Sequence, residues 1–117
     1  MSEAHASQPS VLFLSNDLFF TSKVTGIADT LGCQVDVRGT LPDRWPYRLV
    51  ILDLGFPLSP AEVMSRLPGN QRPRVLAFGQ HVATQRLQEA EAAGCDDVMP
   101  RSRFSANLPE ILRSALE

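Results

Sequence analysis

The chain has 117 residues, enough for one buried core without cross-links, and its 11 basic and 13 acidic residues leave a net charge of -2. That balance gives no electrostatic case for nucleic acid or an anionic membrane as partner. No apolar run reaches the roughly 18 residues of a membrane span, and Met1 to Ser10 has neither the basic nor the apolar region of a signal peptide, so a cytoplasmic protein is expected.

Residues 1–10, rich in Ser, Ala, Gln and Pro, read as a disordered leader, and residues 11–117 as a single domain. Val11-Leu12-Phe13-Leu14 is an unbroken apolar run and predicts a strand buried on both faces. It ends at Ser15-Asn16-Asp17, three residues suited to capping a helix. Phe20, Val24, Ile27, Ala28 and Leu31 then recur at helical spacing, with Gly32 placed as the C-terminal stop. Gln34 to Val37 alternates like an edge strand. Between Gly39 and Pro46 two prolines and no helical stripe predict a loop or a single turn, with Trp45 and Tyr47 capping the sheet edge.

Leu49-Val50-Ile51-Leu52 is the second doubly buried run, and it delivers Asp53 to the carboxyl edge of a parallel sheet, where open α/β folds place their sites. Gly55 and Pro57 then turn the chain. Ser59-Pro60-Ala61-Glu62 starts a short helix carrying Val63, Met64 and Leu67 inward. Arg74 to Phe78 is the next strand, reaching Gly79-Gln80-His81, and Ala83, Leu87, Ala90 and Ala93 make a small-residue helix that stops at Gly94. Val98-Met99 is the centre of a short last strand. Phe104, Leu108, Ile111, Leu112 and Ala115 share a face of a helix starting near Phe104 or Ser105, with Pro109 in its first turn. The alternation predicts an α/β fold: a five-stranded parallel sheet, covered on both sides, with right-handed crossovers.

Two stretches resemble the receiver domains of bacterial two-component response regulators. Leu52-Asp53-Leu54-Gly55-Phe56-Pro57 resembles the phosphoacceptor strand and the turn after it. Ala92-Ala93-Gly94-Cys95-Asp96-Asp97-Val98-Met99 resembles the Ala-Gly-Ala-Asp-Asp-Tyr-Leu segment that leads into the last strand. The resemblance spans residues 11 to 116 and implies a flavodoxin-like three-layer sandwich of strand order 2-1-3-4-5, with Asp53 at the phosphoacceptor position. Gly32 and Asp53 stand closer than in that family, so the second helix is expected to be missing or reduced to a turn.

Position by position, the family's chemistry is depleted. Its paired acids for Mg²⁺ fall on Ser15 and Asn16, or after a one-residue slip on Asn16 and Asp17. Its Ser or Thr falls on Gly79, its Lys on Arg101 and its switch aromatic on Val98. The Pro after its Lys is Ser102 here, while Pro100 precedes Arg101. Phosphorylating a carboxylate brings two negative centres together, so catalysis is mostly positioning plus charge neutralisation by metal and cation. Mg²⁺ usually takes one or two protein carboxylates, and Asp53 with at best Asp17 stands at that lower limit. Arg101 has a planar head suited to a permanent ion pair with Asp53.

Three readings follow. The first is a pseudo-receiver: not an enzyme, without cofactor, binding a protein partner or a second copy through its last strand and helix. Its Asp53 is vestigial, ringed by Ser15, Asn16, Asp17, Gly55, Gly79, Gln80 and Arg101. The second is a receiver still phosphorylated on Asp53 in a phosphorelay, with Asp17 and Asp53 holding Mg²⁺ and Arg101 as the cation. The third is a small-ligand sensor at the loop edge of Asp17, Phe56, Gln80 and Trp45.

Other residues carry less. Cys33 and Cys95 flank opposite edges of the expected sheet, four strand spacings of about 4.8 Å apart, whereas a disulfide needs Cα atoms within about 7 Å. His5 and His81 lack metal-ligand spacing and read as solvated, with His81 at the rim of the Asp53 pocket. Ser15, Ser102 and Ser105 have no partner base and read as caps. Asp96-Asp97 reads as a solvated pair, and no glycine-rich phosphate loop is present.

Overall fold

The unbroken apolar runs form the middle of a sheet, because only there can both faces of a strand leave water. The computed structural model describes residues 10–116. In it β1 (Val11–Leu14), β2 (Val35–Arg38), β3 (Leu49–Asp53), β4 (Arg74–Gly79) and β5 (Asp97–Pro100) form one parallel sheet of order β2-β1-β3-β4-β5. This is the flavodoxin-like order that the resemblance to receiver domains implies. Central β1 and β3 are buried along their whole length, whereas β5, at an edge, is half-buried throughout. Ser10, assigned to the leader by sequence, already joins the sheet: its carbonyl accepts from Arg48 N at 2.8 Å. The rest of the leader lies outside the described residues.

Alternation along the strands sorts the side chains into two layers. Val11, Phe13, Ile51 and Phe78 face the layer built by α1 (Leu18–Leu31), α4 (Arg101–Ala106) and α5 (Leu108–Ser114). Leu12, Leu14, Leu52 and Ala77 face α2 (Pro60–Arg66) and α3 (Thr84–Ala92). α1 starts because the Asp17 carboxylate accepts from Phe20 N at 3.1 Å, and it ends where Gly32 takes φ 72°. Ser59 caps α2 in the same way, with Pro60 as its first residue.

As expected, no helix lies between β2 and β3. The chemistry of β2 accounts for this: Val35 and Val37 pack towards α1, so Asp36 points to the other side and offers no apolar surface for a helix. Tyr47 Oη donates to Asp36 Oδ2 at 2.7 Å and Arg38 Nε donates to the same oxygen at 2.8 Å. Leu41, Trp45 and Tyr47 pack over Leu12 and its neighbours where a helix would lie. Burial pushes the Asp36 carboxyl up, but Tyr47 and Arg38 outweigh it and hold the group below its ordinary value. Burial, then the bond to Asp36, pushes the Tyr47 hydroxyl up to about 12.

The last helix departs from the sequence reading. It begins directly at Arg101, not near Phe104 or Ser105, and breaks at Asn107 before resuming as α5. Pro109 lacks the N–H that would continue the ladder, and Asn107 closes the first segment by donating from its backbone N and its Nδ2 to Arg103 O. Pro109 does sit in the first turn, but of the second segment. Among the described residues no helix is long and apolar enough to cross a membrane.

Candidate functional site

β1 and β3 pair with Leu14 opposite Leu52, so Ser15 and Asp53 emerge side by side at the carboxyl edge of the sheet. They are the two buried polar residues among those described, and Asp53 is 3% exposed. Ser15 Oγ donates to Asp53 Oδ2 at 2.7 Å, and Gly55 N donates to Asp53 Oδ1 at 2.9 Å. Ser15 Oγ in turn accepts from Asp17 N at 3.0 Å. Each carboxylate oxygen thus has a neutral donor, which meets the requirement for burying a polar group. Glycine at 55 permits the close approach, since a Cβ there would stand 3.2 Å from Asp53 Oδ1.

Arg101 does not make the ion pair with Asp53 that its chemistry suggested. Its Nη2 lies 3.9 Å from Asp17 Oδ2, and its guanidinium carbon sits 5.1 Å from the centre of the Phe20 ring. The reason is positional. Arg101 opens α4 beside the start of α1, where the half-exposed Asp17 and the Phe20 face are nearer than a carboxylate already supplied with donors. Its Nε is buried without a partner. Arg101 and Asp53 nevertheless share a cavity of about 190 Å³ with Leu54, Gly55, Gly79, Gln80 and Ala83.

Gly79 is more than a missing hydroxyl. A Cβ added there would stand 3.1 Å from Leu54 Cβ, tighter than ordinary contact, so Leu54 occupies the space that a serine or threonine would need. Val98 packs into the layer of α2 and α3 and has no ring to turn. Beneath the site the aromatics are instead Phe20, Phe78 and Phe104, with Phe78 and Phe104 stacked at 4.0 Å between centroids.

The structure therefore gathers Ser15, Asp17, Gly55, Gly79, Gln80 and Arg101 around Asp53, and leaves Asn16 exposed. The ligand edge of the third reading is not assembled. Trp45 lies with Pro46, Tyr47, Arg48, Gln71, Arg72 and Pro73 before the first residues of β3 and β4, at the opposite end of the sheet from Asp53. Phe56 is buried beneath Gly39, a close neighbour of its ring. His81 is exposed beside Gln80.

Asp96 and Asp97 are not a solvated pair. Arg72 holds Asp96 through two bonds of 3.0 and 3.2 Å, Val75 N donates to it at 2.8 Å, and Arg74 pairs with Asp97. Cys33 and Cys95 are both free thiols. Burial, then the Asp96 charge, pushes the Cys95 thiol up to about 11.

No protein-family model and no curated protein matches the sequence. Solved structures do match. A response regulator from Hahella chejuensis superposes with a TM-score of 0.75 at 25% identity, covering 93% of this chain and 96% of its own. The chain has the receiver fold. The signal receiver domain of a response regulator from Bermanella marisrubri gives a TM-score of 0.69 at 18% identity, over 94% of this chain and all of its own. An orphan response regulator of H. pylori gives 0.64 at 18%, over 94% and 100%.

Against that fold, the residues here do not suit Mg²⁺. The first acidic position holds a hydroxyl whose proton is directed at Asp53, and the second is the exposed Asn16. Asp17 spends Oδ1 on capping α1 and turns Oδ2 towards Arg101. Among the described residues no three His, Cys, Asp or Glu side chains cluster as metal ligands do. One carboxylate with both oxygens engaged is a poor match for a hard octahedral cation.

Proposed function

We propose that this chain is a pseudo-receiver, a receiver fold used in cytoplasmic bacterial signalling as a non-catalytic protein-interaction module. The observation that carries the reading is the Ser15 hydroxyl bonded at 2.7 Å to Asp53, in the place where an Mg²⁺-bearing acid would stand. Three further features support it. Gly79 is closed by Leu54, Arg101 engages Asp17 and Phe20, and Val98 offers no switch ring. Without metal ligation and a mobile hydroxyl, there is nothing to assist phosphoryl transfer or to register it.

The module then acts through shape. Its partner is a protein or a second copy, met at the β5 edge, where half-buried Met99 and Ile111 line a groove of about 390 Å³ with Asn107 and Glu110. The test uses beryllofluoride with Mg²⁺, a mimic of the aspartyl phosphate. Amide spectra unchanged at Gly55, Gly79 and Arg101 are expected. Saturable shifts at those amides, abolished by Asp53→Asn, would establish the phosphorelay reading instead.

A further inference from the structure

Three backbone carbonyls in the loop after Asp53 converge on one guanidinium. Arg86, in the first turn of α3, donates from Nε to Leu54 O at 3.1 Å and from Nη2 to Phe56 O and Leu58 O at 3.1 and 3.2 Å. Its Nη1 donates to Glu89 Oε1 at 3.1 Å, which fixes the fork from the opposite side. The side chain is 30% exposed. A guanidinium presents five donors in one rigid plane, so a single arginine can satisfy three carbonyls that a bent loop leaves without strand partners. A lysine has a single nitrogen and cannot span the three.

This loop is the one that builds the Asp53 site. It carries Gly55, whose N–H holds Asp53 Oδ1, and Leu54, whose side chain closes the space at Gly79. Arg86 touches neither Asp53 nor the cavity it lines, yet every carbonyl it holds lies within five residues of Asp53.

We propose that Arg86 is a positioning residue: it clamps the β3–α2 loop and, through Gly55 and Leu54, keeps Asp53 in a single buried arrangement. Arg86 holds the loop whether or not Asp53 accepts a phosphoryl group, because the clamp sets the loop's conformation and not its chemistry.

Amide hydrogen exchange tests it. The amides of Leu54, Gly55, Phe56 and Leu58 each donate a bond, to Phe78 O, Asp53 Oδ1, Asp53 O and Phe56 O respectively, so all four should be protected in the native chain. In Arg86→Gln they should exchange at least about tenfold faster while β1 and β4 amides change little, and the Asp53 carboxyl resonance should move. Arg86→Lys should show the same local loss, and it decides the matter if the Gln variant does not fold. Glu89→Gln, which leaves the three carbonyl bonds in place, should leave the four amides protected. Unchanged exchange at the four amides in the Arg86 variants, or a rise only in step with β1, would overturn the proposal.

Discussion

Ser15 Oγ donates its proton to Asp53 Oδ2 at 2.7 Å while accepting from Asp17 N at 3.0 Å, so one hydroxyl links the cap of α1 to the buried carboxylate of β3. Ser15→Ala should cost about 1–3 kcal/mol, the range for leaving a buried acceptor without its donor. Urea denaturation reads the loss directly. Ser15→Asp should also destabilise, by placing a second negative charge against the first, and Mg²⁺ should recover part of that loss by restoring the missing ligand. A Ser15→Ala variant as stable as the parent would mean that the hydroxyl does not support Asp53.

Gly79 gives an independent check on the closed site. Gly79→Thr should destabilise by about 1–3 kcal/mol, since the added atoms meet Leu54 at 3.1 Å in a packed layer. Leu54→Ala should make the threonine markedly better tolerated, which a thermodynamic cycle measures as a coupling between the two positions. Additive effects would mean that Leu54 does not occupy that space.

Much of this fold is legible in the residues because its strongest signals are local. The apolar runs at Val11 and Leu49 are short and rich in branched residues, which reads as central strands, and the stripe from Phe20 to Leu31 gives a helix one apolar face to pack on them. The loss of a helix after β2 is equally visible in the two prolines before Tyr47. The C-terminal helix was harder, because its start at Arg101 follows Pro100 without a side-chain cap and its break at Asn107 depends on one proline. At the site, the neighbours of Asp53 are readable apart from the exposed Asn16, but their bonds are not. Arg101 chose Asp17 and Phe20 because α4 begins beside α1, a relationship no spacing encodes. Likewise Asp96 and Asp97 looked solvated because Arg72 and Arg74 are distant in sequence and meet them only across β4 and β5. The Arg86 clamp had a faint signal: an arginine in a helix's first turn, where basic residues are disfavoured by the dipole.

Asp96 predicts part of the pH dependence of stability. Burial raises its carboxyl, but Arg72, the Val75 N–H and Arg74 outweigh that and lower it below 3.8. The unfolded chain therefore binds the proton more readily, so the stabilisation is complete above the unfolded value and is lost as pH falls through the lowered folded one. Asp96→Asn should be less stable than the parent at neutral pH, by at most about 1–2 kcal/mol because both partners of the ion pair are a third exposed. The gap should narrow as pH falls below the ordinary carboxylate value towards the lowered folded one, as the folded parent takes up the proton that Asn never carries. A constant gap across pH would refute the assignment.

The raised Cys95 thiol makes a kinetic prediction. With a value of about 11, Cys95 stays protonated at mildly alkaline pH, and thiolate is the nucleophile. Its alkylation by iodoacetamide near pH 8 should be well over about tenfold slower than that of an unstructured cysteine peptide. Asp96→Asn should speed it by removing the adjacent charge. A rate matching the peptide would show the thiol to be exposed and unperturbed.

Intact-mass spectrometry after incubation with acetyl phosphate and Mg²⁺ asks whether Asp53 accepts a phosphoryl group at all. The native chain should retain its unmodified mass, because Ser15 occupies the metal side of Asp53 and the acceptor is already bonded. Appearance of a phosphoryl adduct that Asp53→Asn abolishes would show instead that Asp53 is a working phosphoacceptor.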